Sequence, residues 1–345
     1  MPQTTRRKLL SLSASLAAAG ASGRPASAQA MTDLKVSLNA PYDGSNAAFF
    51  LAEQRGYYAA AGLRCQFDTS GGAVESVGRI GSGVYDLAFT DLNVLMDFAA
   101  KNPDKAPRDV FMLYYRSPMS VITFAKSGIT KASDLVGKTL GAAVTDGAYR
   151  LFPAYCNATG LDPNAVKWKF VDLRLRETLL LRGEVEAILG FDSTSYFNLI
   201  KAGAKPEDVK FLYYTDAGLP IYGNSLAASK KLLDTNPAAV RGFVAASARG
   251  WLEAIKDPAA AIAALAKKDS LTDVKLETDK LNWLIKNQIV SDETRAGGLG
   301  PVDAGRLARS ITIVKEAFQL PVAPEPGSVF DASFLPPLDQ RRLPL

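Results

Sequence analysis

The sequence predicts an α/β fold divided into two lobes, and three observations lead to this prediction. From Leu34 the chain gives three successive strand-loop-helix units, which are typical of a parallel sheet covered by helices. Two β-rich segments, "FMLYYRSP" and "FLYYTDAGLP", interrupt that alternation and resemble each other. The block between them contains strand-helix units of its own. We therefore expect the chain to cross twice between lobes, although one continuous sheet with two long strands would give a similar pattern.

These crossings set the predicted domain boundaries. Lobe one is expected to comprise residues 31–115 and 216–345, and lobe two residues 116–215. A chain of 345 residues is long enough for two lobes with cores of their own. From Ser229 the pattern is helical with few strands, and the Pro-rich tail after Leu320 is expected to be irregular.

The first unit of lobe one contains an unusually polar connection. The strand "LKVSL" leads into the loop "NAPYDGSN" (39–46), which is followed by a helix predicted to continue to Ala61, with Gly62 just beyond its end. A simple turn needs only a Gly or Pro and a helix cap. The additional Asn, Tyr and Asp side chains of this loop therefore indicate a second role.

The next two units repeat the same order. The strand "LRCQFDT" precedes a helix opened by Gly71-Gly72, and Glu75 in its first turn suits the positive end of the helix dipole. The strand "YDLAFT" precedes a helix that Thr90 or Asp91 is expected to cap.

The middle block gives three further strands. A strand ending near Val144 leads through the loop 145–147 into a helix. The strand "VKWKFVDL" and the helix "LRETLLLRGE" follow, and then the strand "VEAILGF", which ends at residues 192–194. This block therefore repeats the strand-helix alternation of lobe one.

Residues 1–30 have the pattern of an export signal. A basic start, "TTRRKLL", precedes an apolar run and small residues that offer cleavage after Ala28 or Ala30. The start resembles a twin-arginine signal with Leu where Phe is commoner, and a Sec signal is the alternative. No cysteine directly follows the predicted cleavage sites, and no later run of about 18 apolar residues suggests a membrane span. We expect a periplasmic protein without an anchor.

Charge and composition exclude several functions. Residues 1–30 supply four basic residues and no acidic one, so the body of the chain is nearly neutral and no nucleic-acid partner is expected. The absence of histidine removes His-based triads and His-ligated metal sites. No nucleophile elbow, dinucleotide loop or complete phosphate loop is present, so no catalytic residue, metal or cofactor is predicted. The two cysteines, Cys65 and Cys156, are expected to be separate thiols.

The order of motifs resembles that of a known family. It is carried by "AFFLAEQRGYYAAAGLRCQF", "VESVGRIGSGVYDLAFTD", "SGITKASDLVGKTLGA" and "GLPIYGNSLAAS", over about residues 34–260. In this order they are similar to type II periplasmic solute-binding proteins of ABC importers. The most similar groups are the nitrate/sulfonate/taurine-type and thiamine-pyrimidine (NMT/THI-like) binding proteins. The resemblance implies two lobes joined by a two-strand hinge.

The resemblance also implies a function and partners. Such proteins capture a small molecule between their lobes and deliver it to an ABC permease, here as an expected monomer without a cofactor. A sensory accessory protein would have the same fold and is an alternative. An enzyme is disfavoured, because the fungal pyrimidine synthases of the related branch consume their own histidine and this chain has none.

Candidate ligand contacts follow from the rule that ligands bind outside the carboxyl ends of parallel strands. In lobe one they are Asn39, Tyr42, Asp43, Asn46, Ser70, Gly71, Thr90 and Asp91. In lobe two they are Thr145, Asp146, Phe191 and Asp192, and near the crossings Met119 and Tyr222. For each of them, capping, a turn or core packing is the alternative role.

The predicted ligand class depends on charge. The strand-end loops considered contain Asp, Tyr and Phe but no Lys or Arg, and Arg116 is the nearest basic residue. Tyr42 is able to stack on a planar ligand, and Asp91 or Asp192 to accept hydrogen bonds from an amine. This favours a neutral or cationic heteroaromatic such as a pyrimidine. A sulfonate, taurine or nitrate held by the backbone N–H groups of Gly71-Gly72 is the alternative.

Overall fold

The computed structural model describes residues 31–344, and the predicted export signal lies outside this range. The strands of this part of the chain are β1 (Thr32–Leu38), β2 (Leu63–Thr69), β3 (Leu87–Asp91), β4 (Arg108–Met112), β5 (Met119–Phe124), β6 (Thr139–Ala142), β7 (Lys167–Phe170), β8 (Ala187–Phe191), β9 (Val209–Tyr213) and β10 (Asn224–Ala228). The α-helices are α1 (Ala47–Gln54), α2 (Tyr57–Ala60), α3 (Ala73–Gly81), α4 (Leu92–Lys101), α5 (Gly147–Arg150), α6 (Phe152–Thr159), α7 (Arg176–Leu181), α8 (Asp192–Lys201), α9 (Lys230–Thr235), α10 (Pro237–Lys256), α11 (Pro258–Lys268), α12 (Val274–Leu284), α13 (Asp292–Gly297), α14 (Ala304–Ala317) and α15 (Pro326–Val329).

The strands form two five-stranded sheets with the same topology. The strand order is β2-β1-β3-β10-β4 in the first sheet and β7-β6-β8-β5-β9 in the second. In each sheet the fourth strand runs antiparallel to both of its neighbours, while the other pairs are parallel. Each sheet is therefore mixed, with four strands in one direction, and the predicted α/β fold with two lobes is confirmed.

The two antiparallel strands mark the crossings between the sheets. The chain leaves the first sheet after β4 and enters the second as β5; it leaves the second after β9 and returns as β10. The crossing segments run side by side, since the Gly223 N–H donates to the Tyr114 carbonyl at 2.9 Å. Both predicted crossings thus lie at the two interrupted segments of the sequence.

The helix predicted between loop 39–46 and Ala61 is broken, which corrects that expectation. Helix α1 stops at Gln54, and α2 begins after Gly56, whose φ of 72° lies in the left-handed region. A glycine adopts this conformation without the steric cost that other residues incur, so the chain turns there. Gly62, with φ 73°, ends α2 as predicted.

The core of the first lobe packs helices against the β1–β3 face. Phe49 on α1 contacts Phe67, Phe89 and Trp251, with ring centroids 5.2 to 6.0 Å apart. Helix α10 approaches α1 closely at Gly250, where a Cβ would lie 2.6 Å from the Ala48 carbonyl oxygen. Core packing of this kind at native density leaves little room for larger side chains.

The C-terminal helices touch both lobes. Helix α12 packs on α8 of the second lobe, and α14 packs on α4 and on α6. The assignment of residues 216–345 to lobe one therefore stays a prediction. Within the described range, no helix combines the length and the apolar character needed to cross a membrane. Cys65 and Cys156 are both free thiols, as predicted.

Candidate functional site

A cleft lies between the two sheets, where the carboxyl ends of their parallel strands meet. The space between its walls is about 590 Å³ when the gaps between atoms and the part open to solvent are both counted. The lining residues are Asn39, Ala40, Pro41, Ser45, Gly72, Ala73, Tyr114, Asp146, Gly147, Leu173, Arg176, Phe191, Ser193, Thr194 and Asn224. Both lobes contribute to this lining, so a molecule bound there would contact both of them.

The first-lobe wall carries neutral polar groups. The side-chain amides of Asn39 and Asn224 bond reciprocally, at N–O distances of 3.3 and 3.4 Å. These long distances leave both amides able to exchange their mutual bonds for bonds to a ligand. Tyr114 lines the cleft, and its hydroxyl is buried without a hydrogen-bond partner among residues 31–344, which makes it a group that a ligand would satisfy.

Loop 39–46 is held by its own side chains. Asp43 accepts hydrogen bonds from the Ser45 N–H at 2.8 Å and the Ser45 hydroxyl at 2.5 Å, and Lys280 forms an ion pair with it at 3.0 Å. Asn46 accepts from the Asp43 N–H and donates to the Pro41 carbonyl. Asp43 and Asn46 are buried and shape the loop, whereas Ser45 faces the cleft.

The lobes touch at the cleft edge. Gly72, with φ 121°, begins α3, and a Cβ there would lie 3.1 Å from the Thr145 carbonyl oxygen of the second lobe. Neither the backbone conformation nor the space admits a larger residue. Gly72 therefore permits the close approach of the two walls.

One arginine stands at the second-lobe wall, and it is already neutralised. Arg176 is 1% exposed and pairs with Asp146 and Glu177, with a distance of 2.8 Å from Nη2 to Glu177 Oε1. The guanidinium lies against Gly190, where a Cβ would be 2.6 Å from Cζ. Burial alone would lower the pKa of Arg176, but the charges of Glu177 and Asp146 raise it above its usual value. When both carboxyl groups are ionised, the three side chains together carry one net negative charge.

Asp91 is a buried carboxyl group between the lobes. One oxygen caps α4 by accepting from the N–H groups of Asn93 and Val94 at 2.9 and 3.2 Å, as the sequence predicts. The other oxygen is buried and has no hydrogen-bond partner within the described part of the chain. Burial raises the pKa of Asp91 to about 7, and the Asp146 charge contributes in the same direction. A fraction of this carboxyl group is therefore protonated near neutral pH.

Asp192 is buried behind the cleft wall and fully hydrogen-bonded. It accepts from Tyr213 Oη at 3.0 Å, Trp283 Nε1 at 3.1 Å and Gln288 Nε2 at 2.7 Å. Burial raises its pKa above the usual value although these donors favour the charged form. Its neighbours in sequence, Phe191 and Ser193, line the cleft, and Asp192 itself does not.

The structure brings three of the predicted contacts into the cleft lining: Asn39, Asp146 and Phe191. Gly71 and Thr145 flank it, and the Gly71 N–H donates to Glu75 at 2.6 Å. The remaining ones are outside the lining and have structural contacts of their own: Tyr42, Asp43, Asn46, Ser70, Thr90, Asp91, Met119, Asp192 and Tyr222. For these nine, direct ligand contact has no support from the geometry of this cleft.

Tyr42 and Tyr222 illustrate the reason. The Tyr42 hydroxyl donates to the Phe67 carbonyl at 2.6 Å, and the Tyr42 ring packs edge-on against Phe50. Tyr42 lines an adjoining open groove and not the cleft. The Tyr222 hydroxyl donates to Glu293, and Arg306 lies over its ring. Both aromatic rings are therefore engaged away from the cleft.

Arg176, Leu173, Tyr114 and Asn224 line the cleft but are missing from the sequence prediction. The first two follow β7, so the strand-end rule covers that loop as well, and applying it there would have found them. Tyr114 belongs to the first crossing segment, and Asn224 begins β10 directly after the second. Near these crossings, sequence alone pointed to Met119 and Tyr222. Among residues 31–344 no group of three potential ligands is placed to hold a metal ion.

The paired sheets, with the cleft between them, define the fold class: a two-lobed protein with the type II periplasmic binding-protein fold. A family model described as "NMT1/THI5 like" matches residues 44–261. The chain belongs to this NMT1/THI5-like family.

Individual proteins are similar to this chain in sequence or in structure. The riboflavin-binding protein RibY of Chloroflexus aurantiacus is 25% identical over 302 residues, covering 84% of this chain and 82% of RibY. The alkanesulfonate-binding protein SsuA from Xanthomonas axonopodis pv. citri, bound to MOPS, superposes with a TM-score of 0.65 at 14% identity, covering 88% of this chain and 97% of SsuA. The aliphatic sulphonate-binding SsuA of Escherichia coli gives a TM-score of 0.64 at 16% identity, with 88% and 91% coverage. At these identities the two SsuA structures establish the fold.

Proposed function

We propose that this protein captures a neutral or cationic heteroaromatic solute in the cleft, in the periplasm, and delivers it as a monomer to an ABC permease. The observation that supports this class of ligand is the pairing of Arg176 within the protein. It is the one basic side chain in the described cleft lining, and it is already paired with Asp146 and Glu177. An anionic ligand would have to compete with two buried carboxylates for this guanidinium.

The remaining lining suits a planar, uncharged ring. Pro41, Leu173 and Phe191 supply apolar surface, and the amides of Asn39 and Asn224 supply paired donors and acceptors. Such a combination of apolar walls with few convergent polar groups is typical of small-molecule sites. A pyrimidine ring, alone or within an isoalloxazine, presents the amide-like edge that two carboxamides would recognise.

Binding of an anion by backbone N–H groups is also disfavoured. The Gly71 N–H, which the sequence offered as an anion ligand, donates to the carboxylate of Glu75 at 2.6 Å. That carboxylate would repel a sulfonate arriving at the same position. The similarity to RibY over 84% of the chain supports a heteroaromatic ligand, and riboflavin is the first candidate to test.

A thermal-shift screen of the mature protein tests the ligand class. Riboflavin and aminopyrimidines should raise the melting temperature, whereas taurine, alkanesulfonates and nitrate should not. A ligand at 100 times its dissociation constant adds about 2.7 kcal/mol of stability. Stabilisation by the sulfonates and by no heteroaromatic would contradict the proposal. Uptake of the identified ligand by cells with and without the gene then tests delivery to a permease.

A further inference from the structure

Helix α12 and the π-helical turn that continues it, Ile285–Ile289, reach both walls of the cleft without lining it. We call residues 274–289 the α12 segment. It carries two buried polar side chains, Lys280 and Gln288, which are 3% and 2% exposed. Buried polar groups are kept where they have hydrogen-bond partners, so their partners show what the segment holds. A π-helical turn is rare and is frequently found at functional sites.

One end of the α12 segment holds the first-lobe wall. Lys280 pairs with Asp43 at 3.0 Å, and Glu277 accepts from the Gly44 N–H at 2.7 Å. The contact is so close that a Cβ on Gly44 would lie 2.6 Å from the Glu277 carbonyl oxygen. Asp43 in turn holds Ser45, which lines the cleft. Lys280 therefore acts on the cleft through two intervening side chains.

The other end holds the second-lobe wall. Gln288 Nε2 donates to both oxygens of Asp192 at 2.7 Å, and Trp283 Nε1 donates at 3.1 Å. The Gln288 carbonyl accepts from the Tyr115 N–H at 2.7 Å, in the first crossing segment. Asp192 lies between Phe191 and Ser193 in sequence, and both of these line the cleft.

We propose that the α12 segment is a strut that fixes the spacing of the two cleft walls, and that Lys280 and Gln288 are positioning residues for ligand binding. The two are eight residues apart, which corresponds to about 12 Å of helix at 1.5 Å per residue. Continuous helical backbone transmits a displacement at one end to the other. This inference rests on the proposed solute-binding role of the cleft.

Two independent local contacts, one at each wall, would look the same in a single structure. The property to measure is therefore whether a change at one end of the α12 segment alters the wall at the other end. The substitution Lys280→Met removes the ion pair with Asp43 at the first-lobe end. Gln288→Glu places a carboxylate against Asp192 and removes the side-chain hydrogen bonds of Gln288 at the second-lobe end. Gln54→Glu makes the same charge change at an exposed position on α1 and is the matched control. Trp283→Phe, which keeps the ring stacked on Tyr196 but removes the donor to Asp192, serves as a milder variant should one of the others fail to fold.

Hydrogen–deuterium exchange of the protein without added ligand gives the test. Each end variant should raise exchange about fivefold or more at both walls, in peptides covering 39–46 and 191–195, because local opening costs less free energy once the strut is loosened. Gln54→Glu should leave both peptides as in the wild type. Faster exchange confined to the wall next to each substitution, or no change at either wall, would overturn the strut.

A titration with riboflavin as the probe links the strut to binding. If the wild type binds riboflavin, Lys280→Met and Gln288→Glu should weaken its affinity about tenfold or more while Gln54→Glu does not. Equal affinity in all four proteins would overturn the positioning role. A wild type that does not bind riboflavin contradicts the proposed ligand, and the exchange data then decide the strut alone.

Discussion

Asp91 and Gly147 lie against each other across the lobe interface, where a Cβ on Gly147 would be 3.7 Å from the Asp91 Cγ. Asp91 ends β3 of the first sheet, and Gly147 begins α5 after β6 of the second. The same Cβ would lie 3.4 Å from the Val94 Cγ2, which also belongs to the first lobe. The absence of a side chain at position 147 therefore determines how closely the lobes approach.

Gly147→Val should act as a wedge between the lobes. The added methyl groups would meet Val94 and Asp91 of the first lobe, so the present arrangement of the lobes is strained, while the flexible end of Met119 in the second lobe is able to move aside. We expect about tenfold weaker binding of the ligand found by thermal-shift screening and a larger radius of gyration by small-angle X-ray scattering. Gly78→Val, on α3 with no neighbouring atom within 4 Å of its Cβ, is the matched control. Unchanged binding by Gly147→Val would show that the contact at position 147 does not affect the cleft.

The buried carboxyl group of Asp91 should make the protein less stable as the pH rises. Burial raises its pKa from 3.8 to about 7, so the folded protein keeps a proton that the unfolded chain has already released between these values. The stabilisation associated with this proton is complete below about pH 4 and is lost as the pH rises through 7. From the size of the pKa shift, the free energy of unfolding should fall by at most about 4 kcal/mol.

Urea unfolding between pH 5 and pH 8 measures this dependence. Asp91→Asn keeps an acceptor for capping α4 but cannot ionise, so its free energy of unfolding should fall less over this range than that of the wild type. The comparison is necessary because burial also raises the pKa of Asp109, Asp146 and Asp192. Parallel curves for the two proteins would show that Asp91 does not titrate in this range.

The elements that the sequence predicts well are those determined by local chemistry. Strand β2 has the predicted limits, and Asp91 caps α4, because an Asp between a strand and a helix satisfies the first N–H groups wherever the chain then goes. The break at Gly56 is also local in origin. The sequence does not predict this break, because a single glycine is compatible with either a continuous or a broken helix.

The cleft lining depends on contacts between distant parts of the chain, and here the sequence is a weaker guide. Asp192 occupies the predicted strand end, but Trp283 and Gln288, about ninety residues later, take up its oxygens. The position of Arg176 depends on the space above Gly190 and on two carboxylates. The strand-end rule identifies the right edge of each sheet, and tertiary packing decides which side chains there remain free.

The packing of α10 on α1 should make Gly250 sensitive to a single methyl group. A Cβ on Gly250 would lie 2.6 Å from the Ala48 carbonyl oxygen and 2.8 Å from the Ala52 Cβ. We expect Gly250→Ala to lower the free energy of unfolding by about 1–3 kcal/mol. Gly78→Ala, also in a helix but with open space around its Cβ, should raise it by up to about 1 kcal/mol. Urea unfolding measures both variants. Equal changes in their free energies of unfolding would contradict the packing argument.

The pairing of Glu177 with Arg176 gives a direct test of why the cleft should reject anions. Glu177 Oε1 accepts from Arg176 Nη2 at 2.8 Å and from the Ser195 hydroxyl at 2.6 Å. Burial alone would raise the pKa of Glu177, but the Arg176 charge and these hydrogen bonds lower it below its usual range, so the group is ionised.

Glu177→Gln retains a side-chain oxygen of similar geometry but cancels the net negative charge of the cluster. Affinity for taurine or an alkanesulfonate should then increase about tenfold, whereas riboflavin binding should change little. Glu316→Gln, an exposed substitution on α14, makes the same charge change far from the cluster and should have neither effect. Calorimetric titration of the three proteins measures these affinities, and a wild type that already binds sulfonates as tightly as Glu177→Gln would refute the charge argument.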